Sequence, residues 1–356
     1  MQLKEDYVDT HKDIPDLKNM TLDEIEVVIS SLGKEKYRAR QIIKWLYQFG
    51  AVSFDEMTNL SKDFKSKIST LARISSLTIE KVHESSDGTK KILFKLEDGN
   101  FIESVLIREK NHWTLCISTQ AGCQMGCKFC LTGRYGFKRN LLASEIVDQI
   151  TISRFRMPEG NNIKNIVMMG MGEPLANYKN TIKAINIITT DSGLGFSKRR
   201  ITVSTCGIVP MIEQLGRDTA VNLAVSLNAS DNKTRSYLMP INRMYPIEKL
   251  IDACRAYPMP RRRRITFEYI LIEGVNDSPE DAENLVRLVR GVLCKFNLIP
   301  FNEFPESQFG TPSDERIDAF RKILIKHKYT AVIRKSKGRD ILAACGQLRG
   351  AEKGHP

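Results

Sequence analysis

From Thr21 onward, apolar residues recur at helical spacing. Ile25, Val28, Ile29 and Leu32 fall on one face. Thr21 and Glu24 have the spacing of a capping box, and Gly33 is placed to end the helix. A second helix is predicted over Lys36–Phe49, with Ile42, Trp45, Leu46 and Phe49 as its apolar stripe and Gly50 as its stop. Arg38, Arg40 and Lys44 take polar positions on it. A third runs near Lys62–Leu71. The period then shortens. Leu77–Val82, Lys90–Leu96 and Phe101–Ile107 read as strands, joined by turns at Asp87-Gly88 and Asp98-Gly99. Residues 1–20 are polar throughout and read as a loose leader.

From Thr114 strands alternate with helices. Strands are predicted at Thr114–Ser118, Asn165–Met169, Ile201–Ser204, Asn222–Ser226, Ile265–Ile272 and Lys295–Pro300, with a final one at Thr330–Arg334. Helices are predicted at Ala143–Arg156, Tyr178–Thr189, Val209–Leu215, Ile247–Tyr257, Ser278–Val289 and Ser313–Lys326. Six such units with apolar strands imply parallel strands and right-handed crossovers. The expected fold class is α/β: a partial (β/α)6 barrel with an N-terminal helical domain and a short β extension. The chain divides into 1–75 (helical), 76–110 (β extension), 111–335 (barrel) and 336–356 (C-terminal segment). Barrels of this kind carry their chemistry at the C-terminal ends of the strands.

Composition narrows the classes. Hydrophobic residues make up 42% and charged residues 27% of the 356, an ordinary soluble balance. No run approaches the roughly 20 apolar residues of a membrane span, and Met1–Met20 has no apolar signal core. Eight cysteines without a regular framework point to a reducing compartment, so the expected location is cytoplasmic, with no membrane partner. A net charge of +12 favours a polyanionic partner, with Arg38, Arg40 and Lys44 as candidate phosphate contacts. Arg261–Arg264 precedes the fifth barrel strand, so less is expected of it.

The strongest chemical signal is Cys123-Gln-Met-Gly-Cys127-Lys-Phe-Cys130, a CxxxCxxC spacing. The next cysteine downstream is Cys206. Structural zinc and most iron–sulfur clusters take four protein ligands. Three close thiols therefore point to a [4Fe–4S] cluster with one open iron, able to chelate S-adenosylmethionine and cleave it to a 5′-deoxyadenosyl radical. The alternative is a zinc knuckle with a distant fourth ligand. Gly126 and Phe129 within the motif favour the cluster, being similar to the radical S-adenosylmethionine superfamily.

Other stretches follow strands. In Met168-Met169-Gly170-Met171-Gly172-Glu173-Pro174, two glycines let backbone approach a ligand and Glu173 can take an ammonium group. Ser204-Thr205-Cys206-Gly207 and Ser226-Leu227-Asn228 suit ribose and carboxylate hydrogen bonds, or equally helix caps. Asn302 follows the sixth strand, within reach of an adenine. Cys254 and Cys294 read as core fillers, whereas Cys345, before Gly346 in a charged tail, does not.

Taken together, Thr21 to Leu348 closely resembles the RlmN/Cfr family of RNA adenine methyltransferases, from Tyr37-Arg38-Ala39-Arg40-Gln41 to Cys345-Gly346-Gln347-Leu348. The resemblance implies that Cys123, Cys127 and Cys130 hold the cluster. It implies that Gly172, Glu173, Ser204, Ser226, Leu227, Asn228 and Asn302 contact S-adenosylmethionine. Cys345 would carry the methyl group, Cys116 would be the resolving thiol, and Glu103 the proton acceptor. Glu173-Pro174 is similar to the carbon-2 branch; the carbon-8 branch tends to have alanine after that glutamate. The implied substrates are one adenosine of the peptidyl-transferase centre in 23S rRNA and the adenosine 3′ of the anticodon in tRNA. Asn228, where the carbon-2 branch often has histidine, and Cys206, where serine is frequent, depart from the pattern.

The implied reaction methylates Cys345, takes a hydrogen from that methyl group with the deoxyadenosyl radical, and joins the carbon to adenine. Cys116 then frees the product as a disulfide, and an external electron donor restores the thiols and the cluster. The competing readings are the carbon-8 methylase, a non-enzymatic metal-binding RNA module and, fitting less well, an electron-transfer protein.

Overall fold

A computed structural model describes residues 14–304 and 307–350. Three helices come first: α1 (Leu22–Ser31), α2 (Tyr37–Gln48) and α3 (Lys62–Leu71). The predicted capping box of α1 forms, with Thr21 and Glu24 exchanging side-chain and backbone hydrogen bonds. Gly33 and Gly50 take positive φ after their helices, a geometry glycine adopts without Cβ strain. The buried face of α2 is Ala39, Ile42, Ile43, Leu46 and Tyr47, which keeps Ile42 and Leu46 of the predicted stripe but not Trp45 and Phe49. Phe49 is 54% exposed. Trp45 is only partly buried and packs on it, ring centroids 4.8 Å apart. The stripe rotates because Tyr47 turns inward, where its hydroxyl donates to the carbonyl of Lys18.

The loose leader lies partly outside the described residues, at 1–13. Within the described residues the expectation fails. Leu17 and Lys18 are buried, and the Lys18 ammonium lies 2.8 Å from Asp148. Asp16 accepts from the backbone and hydroxyl of Ser75. A lysine enters a core when a carboxylate goes with it, a partnership invisible in the local sequence.

Next come β1 (Thr78–Glu84), β2 (Lys90–Lys95) and β3 (Phe101–Arg108), antiparallel, with Gly88 and Gly99 at the predicted turns. They do not stand apart from the barrel, since β3 pairs antiparallel with β4 (Trp113–Cys116). After β4 a two-stranded ribbon of β5 (Gln120–Gly122) and β6 (Phe137–Asn140) brackets the short helix α4 (Leu131–Arg134).

The barrel then runs α5 (Ala143–Arg156), β7 (Ile163–Met168), α6 (Tyr178–Thr189), β8 (Ile201–Thr205), α7 (Val209–Asp218) and β9 (Asn222–Ser226). It continues with α8 (Asn232–Leu238), α9 (Ile247–Ala256), β10 (Ile265–Leu271), α10 (Pro279–Leu288), β11 (Cys294–Pro300), α11 (Asp314–Lys326) and β12 (Ala331–Ile333). Strands β4, β7, β8, β9, β10, β11 and β12 are neighbours in that order and all parallel. The expected α/β partial barrel is therefore what the chain forms. Every residue of β10 is buried, as a strand covered on both faces requires. Among the described residues, no helix is long and apolar enough to cross a membrane.

Candidate active site

The three cysteines of the motif sit on the loop between β5 and α4, over the C-terminal ends of the barrel strands. Cys123 is anchored by a backbone bond to the carbonyl of Gly136, and Lys128 by one to Leu238. Gly126 has φ 63°, which turns the chain between the first two thiols. Burial pushes all three thiols up, Cys123 to about 12, and the neighbouring thiol charges add to this at Cys123 and Cys127. Buried thiols that raise one another in this way become stable thiolates only beside a cationic centre. Among the described residues, no three His, Cys, Asp or Glu side chains gather round one point as ligands of a single ion. A cubane does not ask for that, since each thiolate binds its own iron.

The loop after β7 lies beside them. Gly172 has φ 97°, and a Cβ there would meet the Cβ of Gln120 at 2.5 Å. Gln120 in turn accepts from the backbone N–H of Glu173 at 2.8 Å. The Glu173 side chain is buried, and its two oxygens accept from the N–H groups of Leu175 (3.0 Å) and Cys206 (2.7 Å). Burial raises this carboxyl, and those bonds pull it back. The side chains of Cys206 and Thr205 also reach this carboxylate, whose charge suits an ammonium group.

At the ends of β8 and β9 the sequence reading missed the organising residue. Arg235, on α8, is wholly buried. Its guanidinium donates to the carbonyls of Cys206 (2.7 Å), Ser226 (3.2 Å) and Leu227 (3.1 Å), and to the side chain of Asn242 (3.0 Å). One side chain thus clamps two strand ends. Ser204 and Ser226 are half-buried on those strands. Leu227 is buried, its N–H donating to the Glu268 carbonyl. Asn228 stands in the left-handed region at φ 56°, which asparagine tolerates well. Its side chain is engaged within the protein, accepting from the N–H of Ile270 and donating to the sulfur of Met239.

The C-terminal segment folds back onto the cysteine loop. The carbonyl of Gly346 accepts from the Leu131 N–H at 2.7 Å, and that of Leu348 from the Thr132 hydroxyl. Gln347 donates to the Glu303 carbonyl, and Asn302 to that of Cys345. The other amide atom of Asn302, Oδ1, is buried without a partner among the described residues. Further along, Glu103 accepts from the N–H groups of Arg349 and Gly350 and pairs with Lys91 at 3.1 Å.

Cys345 does not pack in the core. It opens, together with Cys116 and Cys130, into a cavity of about 350 Å³ inside the barrel. Asn302 also borders this cavity, whereas Glu103 does not. Burial pushes Cys116 and Cys345 upward, and each faces further charge: Cys116 the Cys345 thiol, Cys345 the Glu268 carboxylate. As expected of fillers, Cys254 and Cys294 are buried on α9 and β11.

These residues fit a [4Fe–4S] cluster with S-adenosylmethionine. The three motif thiols lie on one short loop, Glu173 presents a buried carboxylate, Asn302 holds an acceptor without a partner among the described residues, and Gly172 has no room for a side chain.

Comparison with known proteins agrees. Residues 15–74 match the family described as the ribosomal RNA large subunit methyltransferase N-terminal domain, and residues 117–289 match the radical SAM superfamily. The chain is 64% identical over 340 residues to the dual-specificity RNA methyltransferase RlmN of Syntrophus aciditrophicus, covering 96% of this chain and 98% of that one. It is 53% identical to the protein of the same name from Geobacter sulfurreducens, covering 94% and 92%. A crystal structure of a radical SAM methyltransferase from Sphaerobacter thermophilus superposes with a TM-score of 0.90 at 47% identity, over 95% of this chain and all of that one. With its motif cysteines, its Gly172-Glu173 loop and its Cys345 tail assembled as described, the chain belongs to the RlmN family of radical SAM RNA methyltransferases, which use a [4Fe–4S] cluster and S-adenosylmethionine.

Proposed function

We propose that the protein methylates carbon 2 of adenosine, at one site in the peptidyl-transferase centre of 23S rRNA and at the adenosine 3′ of the anticodon in tRNA. The single observation that carries this is the shared cavity: Cys116 and Cys345 open into one space beside Cys130 of the cluster loop. The Glu173-Pro174 pair supports carbon 2 over carbon 8. The location in this reading is cytoplasmic, where an external electron donor is at hand.

Carbon 2 of adenine is electron-poor and does not attack a sulfonium. When bound, the cluster and S-adenosylmethionine supply the methyl group and the radical chemistry that activates its carbon. The chain supplies two thiols and their placement. Glu173 receives the amino group of the methionine moiety, and the orphaned Oδ1 of Asn302 receives a donor from its adenine. Gly172, Ser204, Ser226, Leu227 and Asn228 border the same molecule in this reading. Cys345 loses its proton and carries the one-carbon unit; its thiol is held high by burial, so the thiolate forms only as the methyl arrives.

In this reading Glu103 takes the carbon-2 proton, since Lys91 and two tail amides leave part of its acceptor capacity free. It does not line the cavity here, and it reaches the base once the tail bonded to it shifts. Cys116 attacks the sulfur of Cys345. The S–C bond breaks, its electron pair leaves with the carbon, and that carbon takes a proton to become the product methyl. The Cys116–Cys345 disulfide so formed is then reduced by the external donor.

The test uses Cys116→Ala, isolated from cells. It is expected to carry RNA covalently attached through Cys345, seen on a denaturing gel and by mass spectrometry. A protein free of RNA that turns over like wild type overturns the two-thiol reading.

A further inference from the structure

The reaction as derived leaves one buried acid unused. Glu268 lies on β10, in register with Ser226 on β9 and Asn297 on β11. Only 7% of it is exposed, and that part faces the cavity shared by Cys116 and Cys345. Asn297 donates to its Oε1 at 2.9 Å, which fixes the plane of the carboxyl. The second oxygen has no hydrogen-bond partner among the described residues. Asn297 lines the same cavity. A buried carboxyl braced on one side and open to a cavity on the other is a built polar site.

We propose that Glu268, braced by Asn297, is the group that grips the target adenine, reading its N6 and N7 edge so that carbon 2 points toward Cys345. This rests on the adenine-methylating reading and names the residue that orients its substrate. The geometry of the base dictates the edge. Carbon 2 lies across the six-membered ring from carbon 5, next to N7. A base presenting carbon 2 to the thiol therefore presents N6 and N7 to the opposite wall. A neutral carboxyl matches that edge with two bonds: its carbonyl oxygen accepts from the N6 amino group, and its O–H donates to N7. Asparagine and glutamine read adenine through the same pair of atoms.

The surroundings favour the form with a proton to donate. Burial pushes the Glu268 carboxyl up to about 7, against the pull of the Asn297 hydrogen bond and of the Arg334 and Lys295 charges. That cavity wall also carries the Cys116, Cys130 and Cys345 thiols, all pushed up by burial, the Glu109 carboxylate, and the cations Arg199, Arg200, Lys295, Arg334, Lys335 and Lys337. Raising the pH through that value removes the donor to N7 and leaves a carboxylate facing a lone pair. Gripping of the base then weakens as pH rises.

The holoenzyme is reconstituted anaerobically and given an RNA stem–loop bearing adenosine or 7-deazaadenosine at the target position. Two readouts are taken: methyl uptake by Cys345 without RNA, by mass spectrometry, and 2-methyladenosine formation. Wild type is expected to lose about 10- to 100-fold in kcat/KM on the 7-deaza probe, the scale of a broken two-point base contact. Glu268→Ala is expected to lose a similar factor on adenosine, to lose nothing further on 7-deazaadenosine, and to load Cys345 as wild type does. Glu268→Gln keeps both bonds, so it retains adenosine activity and loses the fall above neutral pH.

Equal wild-type rates on the two probes overturn the proposal. So does a Glu268→Ala protein whose Cys345 loading drops by the same factor as its turnover, because Glu268 then serves the thiol or the fold. A Glu268→Gln protein no better than Glu268→Ala also overturns it. If wild type makes no 2-methyladenosine while still loading Cys345, the failure belongs to the parent reading instead.

Discussion

At the scale of single residues, the site depends on places where no other side chain fits. Gly172 is the sharpest. Its φ of 97° is costly for any residue with a Cβ, and that Cβ would strike Gln120, which holds the Glu173 N–H. Gly172→Ala is expected to cost about 1–3 kcal/mol in stability for the strained backbone. It should also weaken S-adenosylmethionine binding, because Gln120 must move and Glu173 with it. Denaturant melts and isothermal titration of the reconstituted protein check the two effects separately; unchanged affinity would detach Gly172 from the cofactor. The cysteines give a simpler expectation: Cys127→Ala should retain no cluster iron when purified anaerobically, read by iron assay and visible absorbance. Residues of this kind were legible in the sequence because thiol spacing and paired glycines are local patterns. Glu268 and Arg235 were not. A lone glutamate in an apolar strand, or a lone arginine in a polar stretch, declares nothing until its partners are in space.

At the scale of elements, the same division holds. The long helices and the parallel strands announce themselves by period, and their bounds agree with the expected ones to within a few residues. Besides the four-residue α4, the helix left out was α8, Asn-Lys-Thr-Arg-Ser-Tyr-Leu, whose seven residues contain no apolar stripe. The ribbon of β5 and β6 was also left out, since one of its strands is three residues long. These omissions lie at the site. α8 delivers Arg235 to three carbonyls at the ends of β8 and β9, where those strands have stopped pairing. Arg235→Met keeps much of the volume and removes every donor. Each orphaned buried carbonyl costs about 1–3 kcal/mol. The variant is therefore expected to lose about 3 kcal/mol or more in urea unfolding, and to retain less iron, because the Leu238 carbonyl beyond it anchors Lys128 of the cysteine loop. A variant as stable and as brown as wild type would show that the strand ends hold without the clamp.

At the scale of the whole molecule, two features decide how the parts meet the RNA. The first is rigidity. Lys18 and Asp148 join the N-terminal helices to α5 through a fully buried ion pair, and Asp148 also accepts from Leu77, just before β1. Breaking a buried pair from one side costs about 3–5 kcal/mol. Lys18→Met should lose that much, read by calorimetry, and the Lys18→Met/Asp148→Leu double variant should recover part of it. The second feature is charge. The barrel cavity reaches the N-terminal ends of the strands, where Arg199, Arg200 and Lys295 line it with Glu109, while Arg334, Lys335 and Lys337, which follow β12, line it from the C-terminal side. The sequence reading expected less of Arg261–Arg264, at the N-terminal rim of the strands, than of the helices, because the chemistry sits at the opposite ends. The cavity connects the two. Polyanion binding by a chain of charge +12 should therefore draw on both surfaces. Log affinity for an RNA stem–loop should fall linearly with log salt, by about 0.7 to 0.9 per phosphate neutralised. Arg38→Gln/Arg40→Gln and Arg199→Gln/Arg200→Gln should each flatten that slope by about one to two such steps. Fluorescence anisotropy across a salt series measures it. If only the helical pair flattens the slope, the RNA stays on the helices and the rim faces solvent; if only the barrel pair does, the base enters beneath the strands.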